Sequence, residues 1–352
     1  MLVKFLQVGG IVGLVAVLLN MAVPSLSVFW WLLIVVLAIS GIVVSGYYKV
    51  LEVMSVSMIG LFTLFTFFSL IALQNTEAAI SMGDVLSGLQ FKMPEGAEMT
   101  ILVIGAFGLT GVGGDEIMAY NYWLIEKGYA SNTGKNDGSE EWAIRARGWI
   151  KVMYIDAIFA MLVYTVVTVA FFLLGSALLH GKGDFEGGGK NFLENLSNLY
   201  TVTLGNWAEP FFYFGAFVVL FSTAFSALGA WTRQFTDAFG RIGILNFDDY
   251  KSRRNWFAIL AVGIPAIWAG VFLLFESPVW MVVGGGGATS IILLLVLFAA
   301  ISISGRTGSV NSTVGLILFI KSLIYLIENK PPHNPMPINL YLNTLLINPP
   351  AV

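Results

Sequence analysis

The chain has 352 residues, 57% of them hydrophobic and 11% charged, with a mean hydropathy of +0.82 and a formal net charge of −3. A soluble domain carries about 25% charged residues, so this chain cannot cover itself in water and reads as an all-α polytopic membrane protein. It has no cysteine and only two histidines, His180 and His333; this excludes thiol catalysis, disulfides and zinc–thiolate or His-cluster sites, argues against a Ser-His-Asp hydrolase, and the charge gives no basis for a nucleic-acid partner.

A bilayer core takes about 20 apolar residues per helix. On that measure the sequence predicts about nine spans, over residues 5–23, 27–46, 50–73, 98–126, 149–179, 206–236, 256–275, 278–303 and 310–327. The opening "MLVKFLQVGGIVGLVAVLLNMAVPS" has the features of a signal peptide. The next apolar run follows after only a few residues, so it is read as the first membrane helix. Gly9, Gly10 and Gly13 within it suit close helix packing. The loops 128–148 and 180–200 are Gly-rich and polar, and none is large enough to be a soluble domain. Residues 1–330 are therefore one transmembrane domain. Residues 331–352, rich in Pro and Asn, are read as a surface tail that includes His333. Lys321 falls within the last, weak span and could snorkel.

Basic residues set the orientation. With a cytoplasmic N-terminus, the inside segments hold Lys4, Lys49, Lys127, Lys135, Arg145, Arg147, Lys151, Arg233, Arg241, Lys251, Arg253, Arg254 and Arg306, which is 13 of 18 Lys and Arg. The outside loops hold Lys92, Lys182 and Lys190. The alternation runs through every loop and supports the span count; the expected setting is an integral protein of a prokaryotic inner membrane.

The fourth span contains "GLTGVGGDEIMAYNYW". Gly108, Gly111, Gly113 and Gly114 lie within seven residues, followed by Asp115 and Glu116. Counted from Met99, Gly111 lies about 18 Å along the helix, near the middle of a core roughly 30 Å thick. A charged side chain there costs about 2.5–3.5 kcal/mol on insertion scales. Such residues are expected where the helix is broken, near 108–116, around a cavity or polar ligand. The backbone and side chains around Gly111, Gly114, Asp115, Glu116 and Met118 are candidate cation ligands. The plainer roles are Asp115 as a helix cap with Glu116 in the first turn, and Met118 as a packing residue. Tyr120, Tyr122 and Trp123 suit an interfacial belt; Tyr120 and Asn121 are also candidates to line a substrate path.

Elsewhere, Asp156 enters the fifth span close to Arg145, Arg147 and Lys151, its expected partners. Glu209 sits with Pro210 where a helix N-terminus is expected. Ser222, Thr223 and Ser226 share a face of the sixth span. They could line a cavity or make interhelical hydrogen bonds, the commoner use. Glu276 falls in a short turn before Pro278. "VVGGGG", Val282 to Gly287, is either a close-packing or kink site, or a hinge or cavity wall.

"GVGGDEIMAYNYWLIEKGYA" resembles the sixth transmembrane helix of the Nramp (natural resistance-associated macrophage protein) divalent metal transporters, with its pattern G-A-T-V-M-P-H-N-L-Y-L. In that register Met118 matches the metal-binding methionine. Asp115 takes the position whose backbone carbonyl is a ligand, and Asn121 matches the asparagine. Tyr120 and Ala119 replace the family's histidine and proline. "GYYKVLEVMSVSM", with Glu52, is similar to the end of the fourth helix and start of the fifth. "IKVMYIDAIFAML", with Asp156, is similar to the opening of the seventh, and "LGNWAEPFFYFGAFVVLFSTAFSALGAWTRQFTDAFG" to the eighth. The family's D-P-G-N motif, its tenth-helix glutamine, third-helix acid and ninth-helix arginine have no counterparts. The resemblance implies a divergent branch, truncated at its N-terminus. It also implies a partial LeuT-like inverted-repeat fold of family helices 3–11, with residues 1–75 the remnant of the first repeat and 98–303 the second.

The expected function is a secondary transporter of divalent cations, of the manganese, iron or magnesium class, working by alternating access around the broken helix. A proton or sodium ion is the candidate coupling partner, and no resident cofactor or enzymatic activity is expected. The alternatives are a sodium-coupled carrier of amino acids or small organic solutes with the same fold, and a non-transporting membrane subunit. Adjacent Asp115 and Glu116 disfavour an anionic substrate group at that position.

Overall fold

The computed structural model describes residues 2–45, 48–90, 97–110, 112–179, 188–246 and 249–307. The expected ninth span, 310–327, lies outside these residues, as do Gly111, His180, Lys321, His333 and the tail. Among the described residues there are eleven α-helices and no strand. They are α1 (Leu2–Ala22), α2 (Val28–Ser45), α3 (Tyr48–Leu73), α4 (Met82–Gly88), α5 (Ala97–Leu109), α6 (Gly114–Glu126), α7 (Glu140–Leu178), α8 (Gly189–Leu204), α9 (Ala208–Arg241), α10 (Tyr250–Phe275) and α11 (Pro278–Thr307). Six of them, α1, α2, α7, α9, α10 and α11, are long and apolar enough to cross a membrane. The expected fourth span is two half-helices of 13 residues each, α5 and α6, interrupted where the sequence places the break.

The chain divides into two compact units: Met1–Gly111 with Thr165–Ser290, and Val112–Tyr164 with Ile291–Val352. In the first unit α1 packs against α2, α9 and α10. It ends at Ala22, just before Pro24, and the turn is tied by Asn20 Nδ2 donating to the Leu26 carbonyl at 2.7 Å and Trp31 Nε1 to that of Val23 at 3.3 Å. Lys4, expected at the inner edge, lies inside α1 and is buried. On α2, Leu32, Val35, Val36, Ile39 and Ser40 are buried, the i, i+3, i+4, i+7, i+8 stripe of a helix facing a core. Trp30, Leu33, Ile34 and Leu37 on other faces are exposed. That apolar exterior is what acyl chains require.

Helix α8 departs from the sequence reading, which placed a polar loop over 180–200. Leu193, Ser197, Leu199 and Tyr200 recur at helical spacing and are buried against α3 and α9. Tyr200 stacks on Phe65 with ring centroids 5.0 Å apart, and its hydroxyl lies 3.1 Å from Thr66 Oγ1. Ser69 and Thr203 hydroxyls pair at 2.6 Å. The short stretch of apolar residues, interleaved with Asn and Ser, reads as loop by composition. Its buried side is formed by the moment of one amphipathic helix. Likewise α7 begins at Glu140, inside the expected inner loop 128–148, because Glu140 and Glu141 sit favourably in a first helical turn.

The glycine run of α11 is continuous helix, which supports its packing role. Adjacent residues on a helix point about 100° apart, so consecutive glycines serve two neighbours. A Cβ on Gly285 would collide with Gln7 of α1, and one on Gly286 with the Gly105 carbonyl of α5. In return, a Cβ on Gly108 would fall on the Gly286 carbonyl. Ser290 Oγ donates to the Ile104 carbonyl at 2.8 Å. A face packed on one helix needs glycines four apart; α11 has them side by side because it is approached by both α1 and α5. Helix α1 contributes its own small residues: a Cβ on Gly10 would stand 2.8 Å from the Pro278 carbonyl. Gly286→Ala is therefore expected to destabilise the protein by about 1–3 kcal/mol through overpacking. Gly287→Ala, whose Cβ would meet open space, should be neutral or gain up to about 1 kcal/mol. Thermal melting in detergent compares the two.

Candidate metal site at the helix break

Helix α5 ends at Leu109. The last carbonyls of a helix lack intrahelical partners; here Thr110 serves two of them. Its N–H donates to the Ala106 carbonyl at 2.9 Å and its hydroxyl to that of Phe107 at 3.3 Å. Helix α6 starts at Gly114 after an extended N-cap, Gly113, with φ −69° and ψ 157°. A glycine N-cap has no side chain to offer the first amides. Glu116 supplies the reciprocal half of a capping box: its carboxylate turns back and accepts the Gly113 N–H at 2.7 Å. So Glu116, expected simply to fill the first turn or to bind a cation, has a defined local task.

The position of the start also fixes what the other candidates can do. Asp115 is the second helical residue, and Gly113 rather than Asp115 is the N-cap. Inside the first turn a carbonyl points along the axis to the amide four residues on, so the backbone oxygen of Asp115 is committed to the helix. Gly114 is buried, and a Cβ there would collide with Ile292 of α11. Its small size is required for packing. Met118 is half-buried in the next part of the turn. Asn121 follows on α6. Among the described residues no group of three or more His, Cys, Asp or Glu comes together.

Tyr120 is held by a contact the sequence reading did not pair with it. Its hydroxyl donates to Asp156 Oδ2 at 3.4 Å and lies 3.5 Å from the Met153 carbonyl. The same Asp156 oxygen receives Lys127 Nζ at 3.0 Å. Asp156 was expected to pair with Arg145, Arg147 or Lys151. Arg145 instead turns its Nε to the Thr133 carbonyl at 3.3 Å. The signal was present: Tyr120 and Lys127 are seven apart, the spacing of two helical turns. Lys127 lies just past the end of α6. Burial works against its charge, but the hydrogen bond and negative charge of Asp156 outweigh it and hold its pKa above the ordinary lysine value. The contribution of such a raised group is complete below pH 10.5 and lost only as pH climbs through the higher folded value, so Lys127 carries its charge throughout the neutral range.

Ser222 and Ser226 are on α9, in the other compact unit. Ser222 is buried and donates to the Val219 carbonyl of its own helix at 3.1 Å; Thr223 does the same at 2.7 Å. The interhelical bonds expected of them are replaced by back-bonding, which satisfies a hydroxyl without a partner helix. Glu209 lies in the first turn of α9. Glu276 closes α10 in the left-handed region, φ 48°, before Pro278 opens α11.

The family model described as natural resistance-associated macrophage protein-like matches residues 3–326. The chain belongs to this family. Nramp proteins are secondary transporters of divalent metals rather than enzymes, and the chain is an integral membrane protein. Comparisons with curated proteins and with solved structures give no match.

The capping contact separates two roles of Glu116. Glu116→Gln keeps an acceptor oxygen for Gly113 and should melt within about 0.5 kcal/mol of the parent, whereas Glu116→Ala should lose about 1 kcal/mol. Amide exchange at 113–117 should accelerate only in the alanine variant.

Proposed function

We propose that the protein carries a divalent metal cation across the membrane by alternating access around the interruption between α5 and α6, with Asp115 and Met118 as its side-chain ligands. The observation that carries this reading is the α6 start itself. A helix begins at Gly114 in the middle of an apolar segment, its first turn contains two acids, and one of them is already used on the backbone. Interrupted helices of this kind hold substrates and ions in secondary transporters. The boundary between the compact units falls in the same interruption.

The two ligands divide the chemistry. A carboxylate oxygen suits manganese, iron and magnesium alike, while a thioether favours the softer transition ions. Manganese or iron is therefore the proposed substrate ahead of magnesium. The acids in the first turn also oppose an anionic substrate at this helix start, which argues against an amino-acid carrier. With the N-terminus in the cytoplasm, the basic segments obey the positive-inside rule, and inner-membrane uptake is the proposed setting. A proton or a sodium ion is the proposed coupling ion.

Uptake of manganese into proteoliposomes tests the assignment. Met118→Ala and Asp115→Asn are each expected to cut uptake at low manganese by tenfold or more, and Met118→Ala to narrow the preference for manganese over magnesium. Imposed proton and sodium gradients, applied separately, identify the coupling ion. Unchanged uptake in both variants would remove these side chains from the site.

A further inference from the structure

Resting on that reading, we infer that Asp156 is a positioning residue for transport: by holding Tyr120 and Lys127 it fixes the rotation of α6 about its own axis against α7, and so sets where Met118 stands. One carboxylate oxygen receives both the Tyr120 hydroxyl and the Lys127 ammonium, at 3.4 and 3.0 Å. Tyr120 lies within α6 and Lys127 is its C-cap, seven residues on, so the contact reaches the helix at two levels, which resists rotation as well as sliding. Met118 is two residues before Tyr120, and two residues turn a helix by about 200°. The face that Asp156 grips is therefore opposite the one bearing Met118, and any slip of the first swings the second.

The stability of the α6–α7 pairing does not depend on this contact. The segment after α6 is tied to the start of α7 by other groups. Tyr129 and Trp149 rings lie 5.4 Å apart, Trp142 Nε1 donates to the Gly134 carbonyl at 3.0 Å, and Arg145 holds the Thr133 carbonyl. The Lys127 and Asp156 side chains are 43% and 33% exposed, and ion pairs this open to their surroundings add little to stability. Loss of Asp156 should leave α6 beside α7 but free to turn.

The test measures initial manganese uptake against manganese concentration in proteoliposomes, for Asp156→Asn, Lys127→Met, the double variant, and the charge-exchanged Lys127→Asp/Asp156→Lys. Each single variant is expected to raise KM about fivefold with maximal rate nearly unchanged. The double should be no worse than either single, because both remove one contact, and the exchanged pair should recover at least half of the loss. Melting in detergent should be unaltered. The inference is overturned if KM stays at the parental value in both singles while Met118→Ala raises it, which would leave the metal site standing without the clamp. It is equally overturned if the double shows the product of the two single effects, or if maximal rate falls in step with the amount of folded protein. If Met118→Ala also leaves uptake untouched, the metal site itself is wrong and the clamp has nothing to position.

Discussion

Backbone N–H and C=O groups that leave a helix inside a bilayer find no water to replace the lost bonds. An interruption such as the one between Leu109 and Gly114 must satisfy its own ends. Thr110 bonds two carbonyls of α5, and the Glu116 carboxylate bonds the Gly113 amide ahead of α6. These are short-range, sequence-local solutions, and they explain why hydroxyl, glycine and acid follow one another here. They also distribute the work. Glu116 is engaged by the backbone and Gly114 is pressed on Ile292, so each has a local structural task at the start of α6.

Close approach of small residues provides the frame for α5. Lipid tails are as apolar as leucine, so helices in a bilayer are held by packing and a few polar contacts rather than by exclusion from water. Gly105 and Gly108 on α5 meet Gly286 on α11, and Ser290 adds one hydrogen bond across the same contact. Gly285 meets α1 from the next position round the helix. In the same unit, Thr66, Ser69, Tyr200 and Thr203 supply the polar contacts between α3 and α8. Each is a place where backbone or hydroxyl geometry, not bulk hydrophobicity, fixes the neighbour.

Much of this was legible in the residues. Hydropathy located the long helices, and glycines followed by two acids located the break to within a few residues. Proline and charge patterns placed the starts of α9 and α11. What was hidden depended on partners far along the chain. The tie between Asp156 and Lys127 spans 29 residues, and local charge counting favoured the nearer arginines. Helix α8 was concealed because its apolar residues are few and diluted by Asn and Ser, so a loop composition masked a helical period. The α11 glycines looked ambiguous because consecutive spacing fits no single packing face; the second neighbouring helix resolves it. The family likeness supplied the metal, which neither composition nor spacing names.

Because the natural chain contains no cysteine, a single thiol can report on the α6 start without background. Met118→Cys, reconstituted in membranes and exposed to a small charged methanethiosulfonate reagent, is the most direct probe. The account predicts that the thiol reacts from the aqueous phase and that manganese or cadmium slows the reaction in a saturable way. A thiol that stays inert, or one that reacts at the same rate with and without metal, contradicts a cation site at this turn.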